Sequence, residues 1–408
     1  MVSYHGKHLM TTIESVALRR TRGMRDLLPS SMRAFRRVED AFRSAASHWG
    51  YSEVRTPTLE SYSLFTAAGA LTPQMLSRVY SFLDWDGWSG ERVVLRPDST
   101  VPVARAAAEA DLPMPARLFY VQNRFRFEEG DADREDWQCG IEYLEAPPLL
   151  GELETALIAC ETLEALGMAP VVHLSHVGVA QALLEAAGPA DRDVHDAVVA
   201  QGLEALRPLV ADNARLTAVL EAALQPAANE ILIENVSALA EGLHPKLDEA
   251  LQDLRSVAAG LRESGRSIVL ELGMPSDFEY YTGVVFEFES EGSMWGRGGR
   301  YSLPAPIRQD TACGLALEAG ALAARLAEAG TEPVLVAVVP AAPADLSRAI
   351  AVARALHRSG VEAALEPDGA TTAVKVRVSG DVLEAVSGGE TKQVSGIEDV
   401  VALVLQQK

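Results

Sequence analysis

Residues 178–266 are dominated by Ala, Leu and Glu at helical spacing, broken near Gly188, Pro208 and Pro226. Strand-like segments lie on both sides of this helical run. Before it come Tyr51–Leu59, Val93–Arg96, Arg117–Phe127 and Gly140–Leu144; after it come Ile268–Leu272, Gly283–Ser290 and Asp310–Leu317. Short runs of apolar and β-branched residues bounded by turn formers read as strands, and recurrence at three and four residues reads as helix. The arrangement predicts an α+β fold in which a helical insertion separates two halves of one sheet.

Helices flank the strands. Ser31–His48 carries Phe35, Val38, Phe42 and Ala46 at helical spacing and ends at Gly50. Val101–Glu109, Ala319–Ala329 and a strongly amphipathic Leu150–Leu166 are predicted helices as well. Residues 1–20 read as a loose N-terminal arm and 21–330 as the main domain. Glu332-Pro333 then opens a separate α/β unit over 331–408, in which Val334–Val339, Ala344–Ser359 and Val361–Leu365 form a β-α-β pattern.

The chain has 408 residues, enough for two or three domains, and a formal charge of −21. Such acidity favours solubility and argues weakly against nucleic acid, whose phosphates are held mainly by Lys and Arg. No apolar run reaches the roughly 20 residues of a membrane span, and no signal-peptide core is evident at the N-terminus, so a cytoplasmic location is expected. Cys139, Cys160 and Cys313 lack metal-ligand spacing and are expected to be passive core thiols. No metal or cofactor is expected.

Chemistry-bearing residues cluster in six places. Val54-Arg55-Thr56-Pro57 ends a strand. In Leu95-Arg96-Pro97-Asp98-Ser99-Thr100, Asp98 and Thr100 sit where a helix begins; Asp98 could cap that helix or meet an ammonium group through a charge-assisted bond. Phe125-Arg126-Phe127-Glu128 supplies a guanidinium suited to carboxylate or phosphate. Gln138, Gly140 and Glu142 alternate and so share one strand face. Tyr280-Tyr281-Thr282-Gly283 and Gly298-Gly299-Arg300-Tyr301 follow, the latter read as a glycine turn. Between the third and fourth places, residues 128–136 hold six acidic side chains against Arg134, a loop that repels polyanions.

In this order the segments resemble the histidyl-tRNA synthetases, a class II synthetase family, over residues 21–330. The resemblance implies an antiparallel sheet flanked by helices and a homodimer formed through the Pro57 motif. It also implies a histidine pocket built from Asp98, Thr100, Arg126, Gln138, Glu142, Tyr280 and Tyr281, with Glu279 near the imidazole.

The departures from the family pattern concern the nucleotide. Ser276 stands where the family has an arginine that assists amino-acid activation. In Cys313-Gly314-Leu315-Ala316-Leu317-Glu318-Ala319-Gly320-Ala321-Leu322, Glu318 replaces a glycine and Ala321 replaces the arginine that meets the ATP γ-phosphate. Adenylyl transfer depends on positioning and charge stabilisation, so losing two such cations should cost several orders of magnitude in rate.

The wording around Asp98 and Arg134 is similar to a paralogous family, the regulatory subunits of short-form ATP phosphoribosyltransferase. That similarity implies a non-catalytic partner of a short catalytic subunit, a hetero-oligomer that contains the homodimer, histidine as feedback effector, and no tRNA. Two alternatives stay open: a divergent ligase using Arg297 or Arg300 as replacement cations, and a free-standing histidine sensor. A tail of −3 net charge, from 7 basic and 10 acidic residues over 331–408, resembles a reduced anticodon-binding domain, and its acidity argues against RNA contact.

Overall fold

A computed structural model describes residues 20–67, 73–85, 90–130, 132–189, 191–275, 281–303, 307, 309–329, 335–367, 374–387 and 390–405. The chain divides between Glu328 and Ala329 into two compact units. The arm predicted over 1–20 lies almost wholly outside the described residues.

The first unit is built on an eight-stranded mixed sheet. Along the chain its strands are β1 Ser52–Glu53, β5 Ala116–Phe125, β6 Glu135–Leu144, β7 Val171–His176, β8 Ser267–Leu270, β9 Tyr281–Ser290, β10 Ser293–Leu303 and β11 Gln309–Glu318. They lie in the order β1-β5-β6-β11-β10-β9-β7-β8. The outer pairs β1–β5 and β7–β8 are parallel, and the pairs between them are antiparallel. β6 pairs with β11 across 168 to 180 residues of sequence, so the two halves of the sheet do meet around the insertion. The remaining strands of this unit, β2 Leu59–Ser61, β3 Ser81–Trp85 and β4 Gly90–Leu95, form a small separate sheet.

Alternation along the strands gives the main sheet two unlike faces. Phe119 and Val121 of β5, Cys139, Ile141 and Tyr143 of β6, and Cys313, Leu315 and Leu317 of β11 join the larger core. That core also takes in Phe35, Val38 and Phe42 of the Pro29–His48 helix. Leu118, Tyr120, Leu144, Ala312 and Tyr301 look the other way into a smaller cluster with Val101, Val103 and Ala104 of the Thr100–Glu109 helix. All three cysteines are free and buried, as their apolar setting implied.

Several local expectations are corrected. Tyr51–Leu59 is not one strand: Ser52–Glu53 joins the main sheet and Leu59–Ser61 the small one. Between them the backbone keeps single bonds, Val54 to Phe119 and Arg96 to Thr58, and side chains take other groups. Arg96 donates to the carbonyls of Thr56 and Pro57, each at 2.8 Å, and the Thr56 amide donates to Gln122 at 3.3 Å. The Leu150–Ala165 helix is buried around most of its girth, by Glu152, Thr155, Ile158, Ala159 and Thr162 among others, rather than along one stripe. β7 was not predicted. Gly298 and Gly299 lie inside β10 instead of forming a turn: a Cβ at Gly298 would stand 2.3 Å from the Gly314 carbonyl oxygen.

The insertion is helical, with Val177–Ala187, Arg192–Gln201, Ala214–Ala223, Ile231–Ala240 and Pro245–Glu263 as its main helices. The second unit holds β12 Val336–Pro340, β13 Ala363–Leu365, β14 Val374–Ser379, β15 Val382–Ser387 and β16 Glu390–Val394, ordered β13-β12-β14-β15-β16. Its predicted β-α-β start is present, with β12 parallel to β13 and the Leu346–Arg358 helix between them. No helix among the described residues is long and apolar enough to cross a membrane.

Candidate functional site

The face of the main sheet turned away from the Pro29–His48 helix carries a narrow polar pocket. Asp98, Thr100, Tyr120, Arg124, Gln138, Tyr281, Arg297 and Tyr301 line it, with Gly314, Leu315 and Ala316 as a strip of β11. Its free space is about 30 Å³, room for about two waters.

Each wall has a local cause. Asp98 precedes the Thr100–Glu109 helix, and its Oδ1 accepts from the Val101 amide at 3.1 Å. The helix-capping role open to it in sequence is therefore real, and the same carboxylate also lines the pocket. Burial raises its pKa, against the opposing pull of the Val101 amide and of Arg126 and Arg124.

Tyr120, Gln122, Arg124 and Arg126 follow at alternate positions along and just past β5, and Gln138, Gly140 and Glu142 along β6. Gly140 is opposite Tyr120, where a Cβ would stand 2.2 Å from the ring. Gly314 makes the same kind of room for Glu142, whose Oε2 would be 2.2 Å from an added Cβ. Small residues here let large polar ones lie flat against the sheet.

Glu142 is 1% exposed, and Tyr301 donates its hydroxyl to it at 2.7 Å. Burial pushes the carboxyl up to about 8, with hydrogen bonds from Tyr301, Thr100 and Tyr120 pulling the other way. The group is thus largely protonated at neutral pH and can both donate and accept.

Arg124 sits between this pocket and a larger cavity of about 690 Å³. Its Nη2 donates to Asp136 at 2.9 Å and to both oxygens of Glu318 at 3.0 Å. Burial raises Glu318 to about 7, with Arg124 opposing and Asp136 adding to the rise. Asp136 moves the other way: burial works against ionisation, but hydrogen bonds with Glu318 and Arg124 hold its pKa down.

The larger cavity is walled by Trp137, Trp295, Ala321 and five arginines. All five arginines already hold protein acceptors. Arg25 meets Asp133 at 2.6 Å, Arg126 the Pro97 carbonyl at 2.8 Å, Arg134 the Glu128 carbonyl at 2.9 Å and Arg325 Glu291 at 2.5 Å, with Arg124 bonded as above.

Of the residues singled out in sequence, Asp98, Thr100, Gln138 and Tyr281 line the narrow pocket, with Glu142 beneath it. Arg126 opens instead on the larger cavity. Ser276, Glu279 and Tyr280 lie outside the described residues. Arg300 is no replacement cation: it turns to the Leu150–Ala165 helix, where Glu152, Thr311 and the Ala146 carbonyl take its donors. Arg297 does line the pocket. Tyr120 and Arg124 were missed, although their alternation with Arg126 along one strand was readable.

A model of histidyl-tRNA synthetase matches residues 23–322. The chain belongs to the histidyl-tRNA synthetase family. Within that family it is 41% identical, over 71% of its length and 72% of the relative's, to an ATP phosphoribosyltransferase regulatory subunit of Dehalococcoides mccartyi. It is 32% identical to a histidine–tRNA ligase of Archaeoglobus fulgidus, over 67% and 66%. A solved structure from Bacillus halodurans, described as an ATP phosphoribosyltransferase regulatory subunit/histidyl-tRNA synthetase, superimposes with a TM-score of 0.73 at 25% identity. It covers 87% of this chain and 94% of its own. The class II fold expected from the motifs is thus present.

Proposed function

We propose that this chain is the non-catalytic, histidine-sensing regulatory subunit of an ATP phosphoribosyltransferase, assembled with a short catalytic subunit as a homodimer within a hetero-oligomer. The higher identity to the Dehalococcoides regulatory subunit, 41%, than to the Archaeoglobus ligase, 32%, supports the assignment. One observation carries it: a narrow polar pocket adjoins a cavity whose five arginines each already hold a protein acceptor and where Ala321 offers no charge.

Histidine is proposed to contact Asp98, Thr100, Arg126, Gln138, Glu142, Tyr280 and Tyr281, with Asp98 and Thr100 on the ammonium group. The placement of Arg124 and Arg297 in the pocket wall adds them as partners for the carboxylate. A mostly protonated Glu142 with Tyr301 suits an imidazole, which needs one donor and one acceptor. Feedback through a partner subunit requires that histidine bind one state of the complex better than another.

The test is histidine-dependent ATP–pyrophosphate exchange on the purified chain, with histidine binding measured calorimetrically. We expect binding without exchange, and histidine inhibition once a short catalytic subunit is added. Exchange at rates ordinary for a synthetase would overturn the proposal in favour of a ligase.

A further inference from the structure

Two carboxylates converge on one nitrogen of Arg124. Asp136 and Glu318 both take Nη2, while Nε and Nη1 bond no other described residue. Glu318 is held at the same time by Gln138, whose Nε2 donates to it at 3.4 Å. Arg124 and Gln138 are both walls of the narrow pocket, and Glu318 reaches them from the larger cavity. A guanidinium fork binds a carboxylate best through two parallel N–H bonds. An α-carboxylate entering the pocket therefore meets an arginine that already carries an internal carboxylate.

We infer that Glu318 is a specificity-determining internal competitor: it occupies Arg124 in the empty pocket and must yield, by taking a proton, when a ligand α-carboxylate arrives. This deepens the histidine-sensing reading and rests on it.

The charges around Glu318 set the sign. Arg124 from β5 and Arg297 from β10 favour its ionised form, and Asp136 from β6 disfavours it. A ligand carboxylate on Arg124 weakens the main stabilising contact and adds a like charge. Both raise the proton affinity of Glu318, so binding takes up a proton. Glu318 shares its titration with Asp136, and burial already lifts it well above an ordinary carboxyl, so the uptake moves towards the neutral range. Affinity should then fall as pH rises through that range, by up to about tenfold per pH unit. The same geometry selects against a phosphate from the far side, since Glu318 and Asp136 present anions towards the larger cavity.

The experiment is calorimetric titration of L-histidine into the full chain between pH 6.5 and 8.5, in two buffers of different ionisation enthalpy, for the native protein and Glu318→Gln. Asp136→Asn serves as a second variant, and thermal melts check folding. The inference expects proton uptake and weakening with pH in the native protein, and loss of most of both in Glu318→Gln, which should bind more tightly at pH 8. Native protein and folded variant sharing one pH profile would overturn the competition while leaving histidine sensing intact. No histidine binding to any of the three at any pH would remove the reading beneath it as well. Histidinol, which has no carboxylate, should bind without the difference between native protein and variant.

Discussion

Replacing Glu142 by Gln should make the protein more resistant to alkaline conditions. The carboxyl titrates at about 8 in the fold against an ordinary 4.5, because it is buried. A carboxyl whose folded pKa lies above its unfolded one is fully tolerated below about 4.5. Its effect on stability turns adverse as pH rises towards 8, because the unfolded chain ionises while the folded chain holds its proton. At about 1.4 kcal/mol per pH unit, the displacement from 4.5 to about 8 amounts to an order of 4 to 5 kcal/mol. Most of it accrues between pH 5 and 8. Glutamine keeps an oxygen for the Tyr301 hydroxyl and nearly the same volume, but it does not titrate. Thermal unfolding followed by near-ultraviolet circular dichroism at pH 5, 6, 7 and 8 would show the native melting temperature falling relative to that of Glu142→Gln. At roughly 2 °C per kcal/mol for a large domain, the relative fall should reach about 8 °C across the range. Other acids titrate in both proteins and cancel in the comparison. Parallel curves would refute the reasoning, since they would mean that Glu142 is already ionised in the fold and held so by its hydrogen bonds.

Gly314→Ala places a methyl 2.2 Å from the Glu142 carboxylate and 2.8 Å from the Ile141 carbonyl oxygen. It should destabilise the main unit by about 1–3 kcal/mol and abolish histidine binding, as melting and calorimetry would report; native-like binding would show that Glu142 can swing aside. Arg300→Ala leaves Glu152, 4% exposed in its side chain, without its cation. The loss should be about 3–5 kcal/mol with the histidine affinity of the folded fraction unchanged, because Arg300 serves the opposite face of the sheet; a large fall in affinity with normal stability would contradict that placement.

How far the sequence disclosed this depended on how local each cause was. Helices such as Pro29–His48 and strands such as β5 announce themselves by period, because one face of each must be buried. The start of β6 was hidden because Glu135 and Asp136 are polar and pair with Asn123 and Arg124 across the strand pair, while Trp137 between them and Gln138 packs against Phe35 and the core. β10 was hidden by its glycines. In isolation Gly298-Gly299 looks like a turn, and only the proximity of the Gly314 carbonyl explains why no side chain is allowed in mid-strand. The motif order pointed to the pocket, yet Arg124 escaped because the recognisable arginine lies two residues on. Which of two arginines on one strand face lines which cavity depends on where β6 and β11 place Asp136 and Glu318, a tertiary fact.

That placement also links Ala321 and Glu318 under the proposed function. An arginine at 321 would face the cavity that now contains Glu318 and Asp136, and would pair with them as readily as with a phosphate. With alanine there, the only guanidinium bonded to Glu318 among the described residues is Arg124, which stands between the two cavities. The carboxylate is thus held at the wall of the narrow pocket, where, on the proposed function, it reports on whether histidine is bound. If so, restoring Arg at 321 in the native background should draw Glu318 away from Arg124, tighten histidine binding at pH 8 and flatten its pH dependence, without restoring pyrophosphate exchange.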